Sequence, residues 1–222
     1  MPTGIKLFYP AIDGYVHRIV ESTWNDAHDV TTGDGANSSA HYHSRGLRSS
    51  YTASGRGAGW YVGRCFFSFD TSDIVDTPKS RVQLKIKGYG YHAANIIHCV
   101  KATSDIESAI TTADFDSIEG WVHDADNSRG NAIAYASNTT AWIVGDNLFT
   151  LNGQALADIA GQDRLNICLL THIDLANTAE AGLPPSDTHY SGLYFSNHAA
   201  VSNRPILELT QQNNSIFMGM NF

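Results

Sequence analysis

The sequence predicts an all-β fold: an antiparallel two-sheet β-sandwich of the jelly-roll type, with long loops and one or two short helical turns. Its candidate strands are short and are separated by segments rich in Gly, Ser, Thr, Asn and Asp, as in sandwiches and barrels. Apolar residues at helical spacing are nearly absent, which disfavours α/β folds with parallel sheets. No repeat of about 20–50 residues indicates a solenoid or a propeller.

Two segments carry the strongest strand signals. Residues 64–69 are almost continuously apolar, as a buried central strand should be. Residues 81–87 alternate, so that Val82, Leu84 and Ile86 face one side and polar residues face the other. This alternation is typical of a half-buried antiparallel strand. The other predicted strands cover residues 15–20, 95–102, 147–151, 164–173, 190–197 and 205–210.

Turns and loops are predicted between these strands. Residues 25–59 are rich in small and polar residues, and we expect them to hold short strands and long loops on one rim. Residues 70–79 predict a turn or a short helical turn, and residues 154–160 predict a helical turn. Asp114 and Asp116 offer N-cap chemistry for a further short helix.

Length and composition indicate one domain, residues 1–210, followed by an apolar tail at residues 211–222. Of the 222 residues, 42% are hydrophobic, which is ordinary for a globular protein, and only 16% are charged. The formal net charge is −8 and Lys and Arg form no run, so direct nucleic-acid binding is not expected. No apolar stretch approaches the ~20 residues that cross a membrane, and the first residues lack the pattern of a secretory signal.

The three cysteines, Cys65, Cys99 and Cys168, are widely separated, and each lies in an apolar run. No C-x-x-C pair suggests zinc binding or redox chemistry, and the odd number argues against a complete set of disulfides. We therefore predict packed, unbonded thiols.

An ordered series of short motifs resembles a known domain family. In chain order the series comprises Arg64 leading an aromatic strand, Phe-Asp-Thr-Ser at 69–72, the alternating strand at 81–87, Thr-Thr-x-Trp at 139–142, Phe-Thr-Leu-Asn-Gly at 149–153, a Leu-rich strand at 165–170, Tyr-Phe-Ser at 194–196 and Arg-Pro-x-Leu-x-Leu at 204–209. Over roughly residues 12–210, this order resembles the DNRLRE-type jelly-roll domain. That domain is similar to carbohydrate-binding modules and is common in bacteriophage structural proteins.

The resemblance implies a non-enzymatic sandwich that assembles or binds. Because no catalytic module is attached, the chain is closer to the phage form, which implies a virion protein: a capsid decoration, head-fibre or tail accessory subunit on the particle surface. Its partners would be other virion subunits, and a symmetric homo-oligomer is expected. The alternative is a carbohydrate-binding module that recognises a polysaccharide, such as one on a host surface, with or without attachment to a virion.

Aromatic residues are the candidates for glycan binding, because flat rings stack on the faces of pyranose sugars. The aromatic candidates are Trp24, Tyr42, Tyr51, Trp60, Tyr61, Tyr89, Tyr91, Trp121 and Trp142. Of these, Tyr89, Tyr91, Trp60 and Tyr61 form the predicted site. Tyr89 and Tyr91 lie in Gly-Tyr-Gly-Tyr, where the glycines leave them little local cover. The alternative for each residue is a place in the core, where most aromatic residues of a sandwich lie.

Two groups of residues are candidate metal ligands. Asp70, Asp73 and Asp76 share one turn and are candidate ligands of a structural calcium ion, which prefers carboxylate and carbonyl oxygens. The alternative is turn-forming Asp that accepts hydrogen bonds from backbone amides. His41 and His43 have the His-x-His spacing that places two imidazoles on one face of a strand, but no third ligand is evident. Apart from calcium, no cofactor is expected.

No catalytic residues are predicted. The sequence has neither a Gly-x-Ser-x-Gly motif nor a glycine-rich phosphate loop before a helix. Carboxylates are plentiful, but nothing in the sequence nominates two of them as a glycosidase pair.

The chain ends on an apolar tail. Exposed apolar surface tends to mark interaction sites, so we predict that the tail docks onto a neighbouring subunit or onto the structure that the protein decorates. The alternative is that it packs back on its own domain. The apolar residues of the predicted anchor are Ile216, Phe217, Met218, Met220 and Phe222.

Overall fold

The structure, a computed structural model, describes residues 5–52, 58–74, 79–92, 95–103, 106, 108–121, 131–137, 139–177 and 189–211. The described strands are β1 (Ile5–Phe8), β2 (Ile12–Glu21), β3 (Gly35–Asn37), β4 (Tyr42–Thr52), β5 (Gly59–Asp70), β6 (Lys79–His92), β7 (Ile96–Lys101), β8 (Thr140–Ala141), β9 (Gly145–Thr150), β10 (Arg164–Thr171), β11 (Tyr190–Tyr194) and β12 (Ile206–Gln211). The α-helices are α1 (Trp24–His28), α2 (Gly153–Gly161) and α3 (His172–Ala176), and 3-10 turns lie at Ser72–Ile74, Thr112–Asp116 and Val201–Asn203. None of the helices in these ranges has the length and apolar character that crossing a bilayer requires.

The described strands pair antiparallel and form one hydrogen-bonded sheet that curls around an apolar interior. Its order is β1-β12-β6-β11-β4-β5-β10-β7-β8, with β2 paired to β5, β3 to β2 and β9 to β6. One edge of β5 pairs first with β4 and then with β10, while β2 takes the opposite edge. One edge of β6 pairs first with β12 and then with β11, while β9 takes the opposite edge. Each of these two long strands therefore bridges two parts of the sheet.

The central strands are buried on both faces. On β5, Phe67 and Phe69 pack into the larger apolar core, and Phe66 packs into a second core on the other face. Ile167 and Cys168 of β10 divide in the same way between the two cores. Each fully buried Phe or Ile side chain contributes roughly 1.5–3 kcal/mol of transfer free energy. This double burial explains why both strands are almost continuously apolar.

The second core lies under α1, α3 and the 3-10 turn at Thr112–Asp116, and a buried ion pair fastens this layer to β5. Arg64 Nε and Nη2 donate to the Asp174 carboxylate at 2.9 and 2.8 Å, and neither side chain is exposed. Arg64 Nη1 donates to the Phe115 carbonyl at 2.6 Å, and His28 Nε2 donates to the Asp174 carbonyl at 2.8 Å. Burial alone would raise the pKa of Asp174, but the charge and hydrogen bonds of Arg64, with the contact from His28, hold it well below its usual range.

A second buried carboxyl holds the segment between β11 and β12 against β2. The carboxyl oxygens of Asp13 accept hydrogen bonds from the Ser196 N–H and hydroxyl, both at 2.7 Å. Burial raises the pKa of Asp13 to about 6, because it outweighs the opposite effect of these hydrogen bonds. Strands β11 and β12 pair with the same edge of β6, so residues 195–205 form a loop that leaves this edge and returns to it. The hydrogen bonds to Asp13 hold this loop against β2.

The structure confirms the all-β class, and a strand lies at each predicted position. The predicted strands at residues 164–173 and 190–197 extend too far, because α3 begins at His172 and β11 ends at Tyr194. Strands β1 and β8 and helices α1 and α3 were not predicted. The expectation of short strands within residues 25–59 is wrong for β4, which has eleven residues. The predicted helix cap is also wrong: the 3-10 turn has Thr111 at its N-cap. Asp114 instead accepts hydrogen bonds from the Thr111 N–H at 2.6 Å and hydroxyl at 2.9 Å, while Asp116 ends the turn.

The cysteines are buried and unbonded, as predicted. Burial raises the pKa of the Cys65, Cys99 and Cys168 thiols above the usual range, so all three stay protonated near neutral pH. They pack as small apolar side chains of the two cores.

Candidate functional site

A group of three tyrosines, two of them exposed and one half-buried, lies where β4, β6 and β11 meet. The side chains of Tyr42 and Tyr89 are 49% and 41% exposed, and their rings stack with centroids 4.5 Å apart. Tyr194 lies edge-on, with its ring centroid 5.4 Å from that of Tyr89 and 6.3 Å from that of Tyr42. His198 packs edge-on against Tyr194 at 4.7 Å. We call Tyr42, Tyr89 and Tyr194 the tyrosine platform.

Strand pairing and one β-bulge bring the tyrosine platform together. Tyr194 of β11 lies directly opposite Tyr42 of β4. Between its pairs with Gly192 and Leu193 of β11, strand β6 has one extra residue, which is Tyr89. A bulge bends its strand and redirects the extra side chain. Tyr89 lies on the more exposed side of β6 with Lys85 and Lys87, and at the bulge its ring meets the tyrosines of β11 and β4.

The structure does not bring the four predicted glycan-binding residues together. Tyr89 belongs to the tyrosine platform, and Tyr91 is exposed further along the same strand. Trp60 is half-buried and packs edge-on, at 5.2 Å, against the tryptophan of α1 at the second core. The ring of Tyr61 lies 3.8 Å below the guanidinium carbon of Arg48, at a different site.

That different site is a pocket of about 200 Å³ between β2, β4 and β5. We call it the basic pocket. Three of the chain's 14 Lys and Arg residues meet at this small cavity, although the protein as a whole has a net charge of −8. The polar and charged side chains that line it are His17, Arg18, His43, Arg45, Arg48 and Tyr61.

His43 is held in one tautomer at the basic pocket. Its Nδ1 accepts a hydrogen bond from the Arg45 backbone N–H at 3.1 Å, so Nε2 carries the proton of the neutral ring. The imidazole also packs against the ring of Tyr15, with centroids 4.0 Å apart. Burial, together with the neighbouring charges of His17, Arg45 and Arg48, lowers the pKa of His43 to about 4. His43 is therefore a neutral hydrogen-bond donor at pH 7.

The guanidinium of Arg48 is fixed in place by its neighbours. It is only 8% exposed, and it donates from Nε to Ser50 Oγ at 2.6 Å and from Nη2 to Thr52 Oγ1 at 3.2 Å. Its planar group lies over the ring of Tyr61, which adds a cation–π contact. A guanidinium held in this way presents its donors in one orientation.

The other two arginines of the basic pocket have different surroundings. Arg18 forms ion pairs with Glu21 at 2.5 Å and with Asp34 at 2.6 Å. Its Nε is buried and has no hydrogen-bond partner among the residues that the structure describes. The Arg45 guanidinium lies 4.8 Å above the ring of Tyr190.

The basic pocket is not evident from the sequence. The His-x-His spacing of His41 and His43 predicts two imidazoles at one site, but the structure separates them, because His41 Nδ1 donates to the Asn197 carbonyl at 2.6 Å. Arg45 lies in an irregularity of β4, where β4 advances by four residues while β11 advances by two. The usable signal is a histidine followed within two residues by an arginine on both strands, at 17–18 and at 43–45.

The predicted calcium ligands lie partly outside the described residues. Asp70 Oδ1 accepts hydrogen bonds from the Ser72 N–H at 3.1 Å and from its hydroxyl at 2.7 Å, and these bonds lower the pKa of Asp70. Asp73 is exposed in the adjacent 3-10 turn, and Asp76 falls outside the described ranges. Asp70 thus accepts hydrogen bonds within its turn, which agrees with the alternative that it is a turn-forming residue. Calcium binding stays a prediction.

Another pair of imidazoles meets at β7 and the start of α3. His98 Nε2 and His172 Nδ1 are 3.3 Å apart, and the two rings stack. Burial and the neighbouring imidazole lower the pKa of His98 to about 4. Within the described ranges, no group of three or more His, Cys, Asp or Glu side chains is placed to hold a metal ion. The pair therefore offers two ligands where a structural zinc site uses four.

No model of a known protein family matches the sequence, and no curated protein matches it. The resemblance to DNRLRE-type jelly-roll domains therefore rests on the chain's own motifs.

Proposed function

We propose that this protein is a non-enzymatic β-sandwich of the jelly-roll type that binds a polysaccharide and is a structural subunit of a bacteriophage particle. The tyrosine platform is the observation that carries the binding part. The order of the motifs supports the jelly-roll topology. So do the antiparallel pairing and the two long strands, β5 and β6, which bridge two parts of the curled sheet.

A polysaccharide suits the tyrosine platform because each tyrosine offers a flat apolar face and a hydroxyl at its edge. A pyranose ring has C–H groups on its face and hydroxyls around its rim, so both can be matched at once. Tyrosine has only two side-chain torsions and loses little conformational entropy on binding. The contacts among the three rings restrict these torsions before a ligand arrives, which favours binding further.

The environments of the perturbed carboxyls support a non-enzymatic role. Carboxyls with strongly shifted pKa values are the usual candidates for acid–base catalysis when they lie in a cleft. Asp174 has such a shift, but it is fully enclosed by Arg64 and the covering layer. Asp13 is also buried, and both of its oxygens accept hydrogen bonds from Ser196. These two carboxyls hold segments of the fold together. That structural role explains their shifted pKa values, and no catalytic role is needed to account for them.

The phage particle is the setting that the motif resemblance implies. In this proposal the protein lies on the virion surface as a capsid decoration, head-fibre or tail accessory subunit, bound to other virion subunits. The sheet supplies a rigid body, and the tyrosine platform presents an outward surface to a host polysaccharide. Calcium, if Asp70 and its neighbours bind it, would be structural.

Replacing Tyr89 or Tyr42 with alanine is expected to weaken polysaccharide binding about tenfold, because each change removes a ring from the stacked pair. The measurement is affinity electrophoresis against a panel of bacterial capsular and cell-wall polysaccharides, followed by calorimetric titration of the strongest ligand. Tyr9→Ala is the matched control, since Tyr9 is an exposed tyrosine outside the platform. Equal binding by the wild type and both platform variants, or no binding to any member of the panel, would contradict the glycan part.

Assembly is tested separately from glycan binding. Exposed apolar side chains at the β8–β9 connection support a protein contact surface, since Ile143 is 49% exposed and Val144 is 62% exposed. The predicted anchor lies outside the described residues; it comprises Ile216, Phe217, Met218, Met220 and Phe222. We expect light scattering to give an oligomer for the full chain and a monomer after removal of residues 212–222. A monomer in both cases would contradict assembly and leave the glycan part standing.

A further inference from the structure

The basic pocket is a second site, although β4 contributes to it and to the tyrosine platform. Tyr42 and His43 are consecutive, and consecutive side chains of a strand point to opposite faces. The Tyr42 ring stacks on Tyr89, whereas the His43 ring packs on Tyr15. A ligand of the basic pocket therefore meets a different surface, with different chemistry.

Close backbone packing shapes the basic pocket. A Cβ atom on Gly63, which lines the pocket, would lie 2.8 Å from the Gly46 carbonyl oxygen. A Cβ atom on Gly35 would lie 2.9 Å from two atoms of the His17 ring. The contact at Gly63 is with backbone, so that position requires glycine, whereas a side chain at Gly35 would displace the His17 ring. Gly35 therefore backs the His17 imidazole, and Gly63 leaves bare backbone in the pocket wall.

Cationic and neutral donors converge on this cavity from two strands. Arg48 is preorganised by Ser50, Thr52 and Tyr61, so a ligand meets donors that are already oriented. His43 adds its Nε2–H, because its Nδ1 is used as an acceptor. Guanidinium groups bind carboxylate and phosphate oxygens through short, charge-assisted hydrogen bonds. Donors of this kind in one cavity favour an anionic ligand.

Two further observations favour an anion. The buried Nε of Arg18 has no hydrogen-bond partner among the described residues, and a buried donor is costly to leave unsatisfied. Burial and the charges of His17, Arg45 and Arg48 also disfavour the imidazolium form of His43, although Glu21 and Asp34 pair with Arg18 beside the same cavity. A bound anion would supply hydrogen-bond acceptors and would favour the imidazolium.

The size of the cavity limits the ligand. At about 200 Å³ it is smaller than the roughly 300–1,000 Å³ of pockets that enclose drug-sized molecules. One sugar unit or a small free oxyanion is therefore the largest ligand that suits it. Ile19, an exposed apolar side chain in the wall, gives an apolar contact that a sugar ring can use and a free phosphate cannot. We infer that the basic pocket binds an oxyanion, and specifically the carboxylate of a single acidic sugar unit.

Calorimetric titration of the full-length protein tests this with three probes: sodium glucuronate, neutral glucose and inorganic phosphate. We expect glucuronate to bind at least about tenfold more tightly than glucose, because a hydrogen bond to a charged group contributes more than one to a neutral group. Arg45→Gln should weaken glucuronate binding about tenfold by the same reasoning, and Arg45 is exposed, so the fold should tolerate the change. Arg81→Gln, at an exposed arginine of β6 outside the pocket, is the matched control and should bind as the wild type does.

The pH dependence gives a second readout. A carboxylate bound beside His43 favours its imidazolium, so its pKa should rise from about 4 on binding. Affinity should then increase about tenfold between pH 7 and pH 5, where glucuronate is still ionised. The other titratable and charged groups that face His43 are Tyr15, His17, Arg45 and Arg48, and Asp34 acts on the neighbouring His17. His43→Gln keeps a donor near the Nε2 position and should remove most of the pH dependence.

Each outcome decides the inference. Glucuronate binding that is lost in Arg45→Gln and kept in Tyr89→Ala supports it and places the site away from the tyrosine platform. Phosphate binding as tight as that of glucuronate would overturn the acidic sugar and leave a free oxyanion as the ligand. Glucose and glucuronate binding equally, or neither anion binding at all, would overturn the basic pocket as an anion site. None of these results depends on whether the tyrosine platform binds a polysaccharide.

Discussion

Replacing Arg64 with methionine is expected to lower the free energy of unfolding by about 3–5 kcal/mol, because it leaves a buried carboxylate without its partner. Arg64 and Asp174 are both fully buried, and two hydrogen bonds at 2.8 and 2.9 Å join them. The change also removes the bond from Arg64 to the Phe115 carbonyl, which holds the 3-10 turn on the sheet. Chemical denaturation, followed by tryptophan fluorescence and circular dichroism, measures the loss.

Two further variants separate the ion pair from simple loss of packing. Arg64→Met with Asp174→Leu should recover much of the stability, since replacing both members of a buried ion pair with apolar residues is often close to neutral. Arg164→Met, at an exposed arginine of β10, is the matched control and should change the free energy of unfolding by less than about 0.5 kcal/mol. If Arg64→Met lowers the free energy of unfolding by less than about 1 kcal/mol, the ion pair does not hold α1, α3 and the 3-10 turn on the sheet.

The pH dependence of unfolding should carry the same signature. The pKa of Asp174 is lowered in the folded protein, so its contribution is present above the unfolded value near 3.8 and is lost as the pH falls toward the folded value. Asp13 acts in the opposite sense: its folded pKa is raised to about 6, so its contribution is present below 3.8 and is lost as the pH rises through 6. Comparing the wild type with the Arg64→Met/Asp174→Leu variant removes the effect of Asp13, which both proteins contain. The acid-induced loss below pH 4 should be smaller in the double variant.

Replacing Gly88 with alanine should destabilise the protein by about 1–3 kcal/mol, whereas the same change at Gly90 should be tolerated. A Cβ atom at Gly88 would lie 2.1 Å from the Ile143 carbonyl oxygen and 3.0 Å from Trp142 Nε1. Both neighbours are held by hydrogen bonds, Ile143 to the Asn147 side chain and Trp142 Nε1 to the Gly192 carbonyl. A Cβ atom at Gly90 would have no heavy atom within 4 Å. Both glycines flank Tyr89, so they form a matched pair on one strand.

The comparison also separates two roles of the Gly-Tyr-Gly-Tyr segment. Its glycines were expected to leave the tyrosines uncovered, but Gly88 is needed for the close approach of the β8–β9 connection. Thermal unfolding of both variants measures the difference, and glycan binding by Gly90→Ala should match that of the wild type. Equal unfolding temperatures for Gly88→Ala and Gly90→Ala would show that the contact at Ile143 relaxes at little cost.

Local sequence patterns predicted the strands well, because the spacing of apolar residues along a strand indicates which of its faces are buried. The alternation at Val82, Leu84 and Ile86 matches their burial in β6, and the continuous apolar run of residues 64–69 matches a strand covered on both faces. Exposure of Tyr89 was predictable for the same reason, since its neighbours are small. Helix α1 and the long strand β4 were not predicted, because polar and small residues dominate both segments. Contacts with the sheet, and not a local apolar pattern, give these segments their regular structure.

The sequence by itself therefore determined the all-β class, the buried thiols and an exposed tyrosine on β6. Tertiary structure alone decided which residues meet. Tyr194 meets Tyr89 at a bulge of β6, on a strand about 100 positions away in sequence, and Arg64 meets Asp174 across 110 positions. The basic pocket likewise needs the register of three strands and an irregularity in β4. The physical reason is that periodicity reports whether a side chain is buried, whereas strand register and bulges decide which buried or exposed side chains become neighbours.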